Sequence, residues 1–241
     1  NSAQSAGTLN LQARRMVLSH GGIIATSSGS FGNAGELSIV TDRLRLLNGS
    51  SITTTVRGPG DSERLTIRAN DIEVIGTSAD GSFPSEIAAN SFGAGDAGPV
   101  EIESDRLFLR NGGEISTATL GSGAGADITI NTRTLQLDNG QINASTTTDE
   151  TGGTIRINAR EAVELSGNGF DSLVEQLLTP ARDGTLAADD LAQGILTITS
   201  GEGDAGSVTL TTPRLSAGNG ALVATTTFGS GAGGNITITA D

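Results

Sequence analysis

The stretch GSGAGADITI occupies residues 121–130, and it returns almost unchanged as GSGAGGNITI at residues 229–238. In both places a loop of small residues leads into a short alternation of isoleucine and threonine. Alternation of apolar and polar residues is typical of a β-strand with one buried face. Two nearly identical loop-and-strand units, 108 residues apart, indicate that the chain is built from a repeat.

The same alternation follows each glycine-rich loop and sets the repeat length. Its first apolar residues are separated by 28, 28, 35, 28, 27, 53 and 28 residues. The period is therefore 28, with one repeat about 7 residues longer and another about 25 longer. These first residues are Leu9, Leu37, Leu65, Val100, Ile128, Ile155, Val208 and Ile236.

Each repeat contains two further alternating units, for example at Leu44/Leu46 and at Ile52. Because one repeat cannot bury its apolar face alone, the repeats must stack so that these faces join into one core. The sequence thus predicts an all-β fold, a right-handed parallel β-helix (β-solenoid) of about seven to eight rungs of ~28 residues with three strands each. Parallel crossovers favour the right hand.

Asn-Gly pairs recur between the second and third units of the repeats and predict a corner with positive φ. His20, the only histidine, takes the place of this asparagine in the first repeat, so we expect a turn residue there and not a base or metal ligand. The pairs are Asn48-Gly49, Asn111-Gly112, Asn139-Gly140, Asn168-Gly169 and Asn219-Gly220.

We expect a single domain over residues 1–241 with two insertions at this corner. The shorter, residues 77–86, is a loop. The longer, residues 170–194, contains a Ser172-x-x-Glu175 capping box and predicts a short helix that stops before Pro180. Insertions at one corner lie on one edge of the rod, where solenoids often carry binding surfaces.

The composition restricts the partners. The net charge is −13, all 14 basic residues are arginine, and cysteine, tryptophan and tyrosine are absent. An acidic surface opposes binding to nucleic acid and to anionic lipid. No apolar run approaches the roughly 18 residues that span a bilayer. We therefore expect no nucleic-acid partner, no membrane insertion, and neither disulfides nor thiol chemistry.

The pattern AGPVEIESDRLFLRNGGEISTATLGSGAGADITI (residues 97–130) resembles the repeats of large exoproteins of the filamentous haemagglutinin type, and is similar above all to their cyanobacterial versions. The likeness covers nearly the whole chain except residues 170–194. It implies two-partner secretion, a right-handed parallel β-helix and an elongated surface or secreted shaft. The Asn-Pro-Asn-Gly type motif of the family's secretion domain is missing, so the chain corresponds to the repeat shaft and no functional residue is carried over.

Function is expected to be structural. We expect a non-enzymatic shaft, secreted or on the outer face of a Gram-negative-type envelope, that presents loops for adhesion to surface or matrix glycans or proteins. The first alternative is a carbohydrate-binding or polysaccharide-degrading β-helix. The second is a self-assembling extracellular fibre subunit, because both ends of the chain fall within the rung pattern and expose strand edges to end-to-end self-association.

No catalytic or cofactor-binding residue is predicted. Carboxylates are scattered, and the arginine–glutamate neighbours, such as Arg45 near Glu73 or Arg68 near Glu101 and Glu103, are expected to be surface pairs. A threonine-rich third strand, as at Thr53–Thr55, could bind ice or glycans, or could simply form hydroxyl ladders.

Calcium is the one cofactor considered. Asn33, Asp61, Asp96 and Asp204 occupy one loop position in different repeats. Stacked carboxylates about 5 Å apart repel one another unless a cation such as Ca²⁺ neutralises them. In the alternative, each side chain accepts hydrogen bonds from the amides of its own turn. The metal candidates are accordingly Asp61, Asp96 and Asp204.

Overall fold

The structure, a computed structural model, describes residues 4–183, 187, 191 and 193–240. Long and short strands alternate along the chain. The long strands are β1 (Leu9–Ser19), β3 (Leu37–Leu47), β5 (Leu65–Ile75), β7 (Val100–Arg110), β9 (Ile128–Asp138) and β11 (Ile155–Ser166). The short strands are β2 (Ile23–Ser28), β4 (Ser51–Val56), β6 (Glu86–Ser91), β8 (Glu114–Thr119), β10 (Gln141–Thr146), β12 (Gly194–Thr199) and β15 (Val223–Thr227). The remaining strands are β13 (Val208–Thr212), β14 (Leu215–Gly218) and β16 (Ile236–Ala240).

Each strand pairs in parallel with the equivalent strand of the neighbouring repeats. The long-strand sheet has the order β1-β3-β5-β7-β9-β11-β13-β16, with β14 beside β11, and the short-strand sheet has the order β2-β4-β6-β8-β10-β12-β15. The register follows the sequence period, since Leu37 pairs with Leu65, and Leu65 with Val100. The chain is therefore a parallel β-solenoid, and we call one long strand, one short strand and one glycine-rich loop a coil.

The first two apolar units of a repeat share one long strand, which refines the prediction of three separate strands. In β3, Thr41 pairs with Ala69 and Arg43 with Asp71, while the register omits Asp42 between them. One displaced residue bends the strand without ending its hydrogen bonding. Only at Pro213 do the two units separate into β13 and β14, because proline has no N–H to continue the ladder.

The core lies inside the coils and consists almost wholly of stacked leucine, isoleucine and valine. Leu37, Leu65 and Val100 are at most 1 % exposed, as columns of equivalent residues require. Burial of each such side chain stabilises the fold by about 1.5–3 kcal/mol. The apolar positions predicted from the period are therefore the core positions.

Threonines such as Thr117 and Thr197 of the short strands point into this core, where they are not available to bind ice or glycans. Thr117 Oγ1 donates to the Ala126 carbonyl at 2.7 Å, and Thr197 Oγ1 donates to the Gly206 carbonyl at 2.6 Å. Both threonines are at most 1 % exposed. Their hydroxyls tie each short strand to the glycine-rich loop of its own coil.

Replacing Thr197 by valine should lower the free energy of unfolding by about 1–3 kcal/mol, because the buried Gly206 carbonyl loses its hydroxyl donor while the volume is kept. Urea denaturation measures the loss. The matched control is Thr209→Val on β13, where the side chain is half-buried and faces outward. Equal effects of Thr197→Val and Thr209→Val would contradict a stabilising hydrogen bond from the buried Thr197 hydroxyl to the Gly206 carbonyl.

The corner between long and short strands has the predicted backbone. Asn48, Asn111, Asn139 and Asn219 have φ of 51–55°, and His20 has φ of 54°. The side chain of His20 is exposed, which confirms that it is a turn residue. The exception is the Asn168-Gly169 pair, where Gly169 alone has a positive φ, of 100°, because the longer insertion begins there.

Both insertions leave the solenoid at this corner. In the shorter one, Thr77 and Pro84 form an antiparallel bridge, and the Ser78 N–H donates to the Phe83 carbonyl at 2.7 Å. The last residues of the two predicted insertions, Glu86 and Gly194, already belong to the next short strands, β6 and β12.

The longer insertion is helical over more residues than predicted. It contains α1 (Phe170–Leu173), a π-helical turn (Val174–Leu178) and α2 (Thr179–Asp183). Gly169 is the N-cap and no side chain caps the helix, so the predicted capping box is wrong. The helix also continues past Pro180, because the preceding π turn starts a new helical segment in whose first turn proline is tolerated.

The insertion covers the outer face of the short-strand sheet at β12. Ile195 packs in the main core, whereas Leu196 and Ile198 form a second buried cluster with Leu191, against which Leu177 packs. An apolar outer face at β12 is therefore explained by the chain segment that packs on it. The part of the predicted insertion at residues 184–186, 188–190 and 192 lies outside the described residues.

Candidate functional site

The calcium candidates belong to a hydrogen-bonded ladder along the glycine-rich loops. Asp61 Oδ1 accepts the backbone N–H of Asp96 at 3.0 Å, and Asp96 Oδ1 accepts that of Ala124 at 2.7 Å. Asp204 Oδ1 accepts the N–H of Ala232 at 2.6 Å. Each carboxylate thus binds an amide of the next coil and not, as the turn pattern predicts, an amide of its own turn.

This ladder provides another way to stabilise stacked carboxylates. Asn33 occupies the same position and accepts the Asp61 N–H at 3.1 Å with its amide oxygen, so a neutral side chain serves equally well. In the described ranges, no three histidine, aspartate or glutamate side chains are grouped as metal ligands would be. Calcium binding stays a prediction, and the geometry favours a structural role.

The predicted arginine–glutamate neighbours join adjacent coils, except that Glu101 pairs with Arg64 and not with Arg68. Arg45 Nε lies 2.7 Å from Glu73 Oε2, and Arg68 Nε lies 2.8 Å from Glu103 Oε2. The side chains of both pairs are about one-third to one-half exposed. Each pair therefore stabilises the stack by at most about 1 kcal/mol.

Asp71 connects three successive coils. Its Oδ1 lies 2.5 Å from Arg106 Nε, and its Oδ2 lies 3.4 Å from Arg43 Nη2. The hydrogen bond from Arg106 holds the pKa of Asp71 below its usual range. The carboxylate is therefore ionised at neutral pH and clamps its two neighbours.

Two glutamates form a different kind of pair at the corner beside the shorter insertion. Glu86 opens β6, Glu114 opens β8, and the two residues are neighbours in the register of the short-strand sheet. Burial raises the pKa of Glu86 to about 7, and the charge of Glu114 adds to the rise. Burial also raises the pKa of Glu114, against a hydrogen bond with Ser116 that lowers it. One carboxyl of the pair is thus partly protonated near neutral pH.

This glutamate pair was not predicted, although the sequence contains a signal for it. Both glutamates immediately precede the isoleucine of the third unit, in two consecutive repeats. The next residue in this column is Gln141, whose Nε2 donates to the Leu191 carbonyl at 3.0 Å. Close by on β10, the Asn143 Oδ1 atom is buried without a hydrogen-bond partner. Two neighbouring carboxyls with raised pKa values are one arrangement that general acid–base chemistry can use.

A shallow groove runs along the solenoid axis where the long strands bend. Its first part has a volume of 480 Å³ and reaches from Gln12 to Asp105 over four coils. Two further depressions of 310 and 320 Å³ extend it to Thr239 on β16. One small residue per coil forms the floor: Ala13, Thr41, Ala69, Ser104, Thr132, Ala159 and Thr212. This column of small residues was not predicted from the sequence, because the two units of the long strand were expected to be separate strands.

No family model, curated protein or solved structure matches this chain. In the described ranges, none of the helices combines the length and the apolar character needed to cross a membrane. The solenoid, the glutamate pair and the groove are therefore interpreted from their own geometry.

Proposed function

We propose that this chain is a rigid, non-enzymatic segment of an extracellular exoprotein, which acts as a spacer and presents loops for adhesion to surface or matrix molecules. The resemblance to repeats of the filamentous haemagglutinin type supports this proposal, and the acidic composition disfavours nucleic acid and anionic lipid as alternative partners. Export by two-partner secretion and a place on a Gram-negative-type cell surface are part of the proposal.

The observation that carries it is the continuous parallel pairing of strands along both sheets. Strand follows strand from β1 to β16 in the long-strand sheet and from β2 to β15 in the short-strand sheet. With about 4.8 Å between coils, the long-strand sheet extends over about 34 Å. Such a rod grows in length by addition of coils without change in its cross-section, which is what a spacer requires.

The corner with the two insertions is the expected contact surface. Phe83 in the shorter insertion is 66 % exposed, and Phe170 at the start of the longer one is 64 % exposed. Aromatic side chains supply a large share of the binding energy at protein interfaces. Since the solenoid holds this corner rigid, these side chains are presented at fixed positions.

A binding screen against surface and matrix proteins tests the adhesive role, with the double variant Phe83→Ser/Phe170→Ser beside the parent chain. We expect retention of the parent and at least a tenfold loss for the variant. Val17→Ser, at a site 45 % exposed on the long-strand sheet, is the matched control. Retention that is unchanged in the double variant, or no retention of the parent, would contradict display at this corner.

An enzymatic alternative is favoured by one observation, the Glu86–Glu114 pair. Incubation with acidic and neutral polysaccharides, followed by an assay for reducing ends, separates it from the spacer. The spacer predicts no product above background. Product whose rate falls in both Glu86→Gln and Glu114→Gln would replace the proposal by a polysaccharide-degrading solenoid.

A further inference from the structure

We infer that the groove along the bends of the long strands binds a linear, uncharged polysaccharide of 1,4-linked hexoses, with the sugar chain parallel to the solenoid axis. A spacer that presents loops needs no ligand along its length, so this inference goes beyond the proposed function and is tested independently of it.

The groove is continuous, which indicates a polymer and not a small molecule. Its first and second parts share Glu103 and Ser104, and its second and third parts share Asn158 and Arg160. It thus crosses every coil from β1 to β16, over about 34 Å. A single small ligand would occupy only a fraction of this length.

The floor of the groove has no opening into the core, and its hydroxyl groups already form hydrogen bonds within the protein. Ala69 is 8 % exposed and Thr132 is 2 % exposed. Thr132 Oγ1 donates to the Thr134 carbonyl at 3.0 Å and accepts the Ser104 hydroxyl at 2.9 Å. The floor therefore offers van der Waals contact to the flat face of a sugar ring, and the polar contacts come from the rims.

The rims carry equal numbers of positive and negative side chains in a chain whose net charge is −13. Two pairs neutralise each other, Arg68 with Glu103 at 2.8 Å and Arg160 with Asp105 at 3.4 Å. The six charged residues are Arg14, Arg68, Arg160, Asp42, Glu103 and Asp105. An anionic polymer meets no excess of positive charge here, and a cationic polymer meets more negative charge elsewhere on the rod. The charge balance favours an uncharged ligand.

Amides on the rims provide hydrogen bonds for hydroxyl groups. Asn158 Nδ2 donates to Asn131 Oδ1 at 3.0 Å. This bond orients both amides and leaves the Asn131 amide N–H groups and the Asn158 amide oxygen for a ligand. Adjacent donors and acceptors of this kind suit the vicinal hydroxyls of a hexose.

The direction of the groove argues against an extended peptide. Peptides bind to sheets by adding a strand at an edge, with main-chain hydrogen bonds. Here the groove runs across the strands, whose main-chain groups already pair with the coils on either side. A 1,4-linked hexose chain, by contrast, advances per sugar by nearly the distance between coils, so that successive sugars meet equivalent rim residues.

The test is calorimetric titration with β-1,4-linked mannose oligomers of increasing length. Each sugar should contact one coil, and no aromatic side chain in the groove provides a single strong contact. The affinity should therefore come from many linked weak contacts and should rise with each added sugar, up to about the number of coils. Oligogalacturonate and chitosan oligomers of equal length are the acidic and basic comparisons. No binding of the mannose oligomers, affinity independent of length, or equal binding of a charged oligomer would overturn the inference.

Two substitutions test whether the mannose oligomers bind in the groove. Ser104→Leu fills the floor in the first part of the groove, and Asn158→Leu removes the rim amide in the second part. Each should weaken binding of the longest oligomer at least tenfold. The control Ser38→Leu lies on the same sheet outside the groove and should bind as the parent does. Thermal unfolding verifies that all three fold; should Ser104→Leu unfold, Asn158→Leu alone decides, and unchanged affinity in a folded groove variant contradicts the site.

Discussion

Glu86→Gln should raise the free energy of unfolding by about 3 kcal/mol at pH 8 and leave it unchanged near pH 4. Burial raises the pKa of Glu86 to about 7, whereas the unfolded chain has the ordinary value of 4.5. Between these values the folded state holds the proton more tightly than the unfolded state does. The stability contributed by the protonated group is therefore complete below pH 4.5 and is lost as the pH rises through 7. Glutamine removes this loss because it cannot ionise.

Urea denaturation at several pH values between 4 and 8 measures the effect. The parent chain should lose stability over this range, and Glu86→Gln should show a flatter profile. Glu36→Gln, at an exposed position, is the matched control and should follow the parent. A variant profile with the same slope as the parent would show that the buried Glu86–Glu114 pair does not control stability.

Gly206→Ala should destabilise the solenoid by about 3 kcal/mol, the upper end for overpacking in a rigid core. A Cβ at this position would overlap the carbonyl oxygen of Gly153 in the adjacent coil. The loops on both sides are held in place, since the Gly152 N–H donates to the Asp204 carbonyl at 2.9 Å and the Ala205 N–H donates to the Ala232 carbonyl at 2.9 Å. The backbone therefore has little freedom to move away.

Gly29→Ala is the matched control, because a Cβ at Gly29 would meet nothing within 4 Å. Thermal and urea unfolding of both variants measure the difference. The control should remain within about 1 kcal/mol of the parent. If Gly206→Ala were as stable as Gly29→Ala, the close stacking of the glycine-rich loops would be wrong.

The fold could be predicted from the sequence because the solenoid repeats the same physical requirement in every coil. Each repeat places an aliphatic residue at the same position, as Leu37, Leu65 and Val100 do, and chance does not produce such spacing. The Asn-Gly corners follow from the few residues that adopt positive φ. At these positions, the residue type that the local backbone requires is also the one that the packing between coils requires.

What the sequence did not reveal depends on contacts that form only in the folded chain, within a coil or between coils. Thr117 and Thr197 look like surface residues of a strand, but their hydroxyls bond to carbonyls in the loop of their own coil, inside the core. The carboxylates of Asp61 and Asp96 reach the next coil, which no pattern within one turn indicates. Glu86 has a raised pKa only because the folded chain buries it beside Glu114. Each of these features depends on residues that only the fold brings together, and so does the groove.

Distance measurements between spin labels test the stacking of the coils most directly, and the absence of cysteine makes pairs of labelled cysteines straightforward. Asn10, Thr129, Arg156 and Thr209 occupy equivalent outward positions on different coils. Measured from Asn10, the separations to Thr129, Arg156 and Thr209 should be about 19, 24 and 29 Å, an increase of about 4.8 Å per coil. Separations that fail to increase in this order would contradict the solenoid and every inference drawn from it.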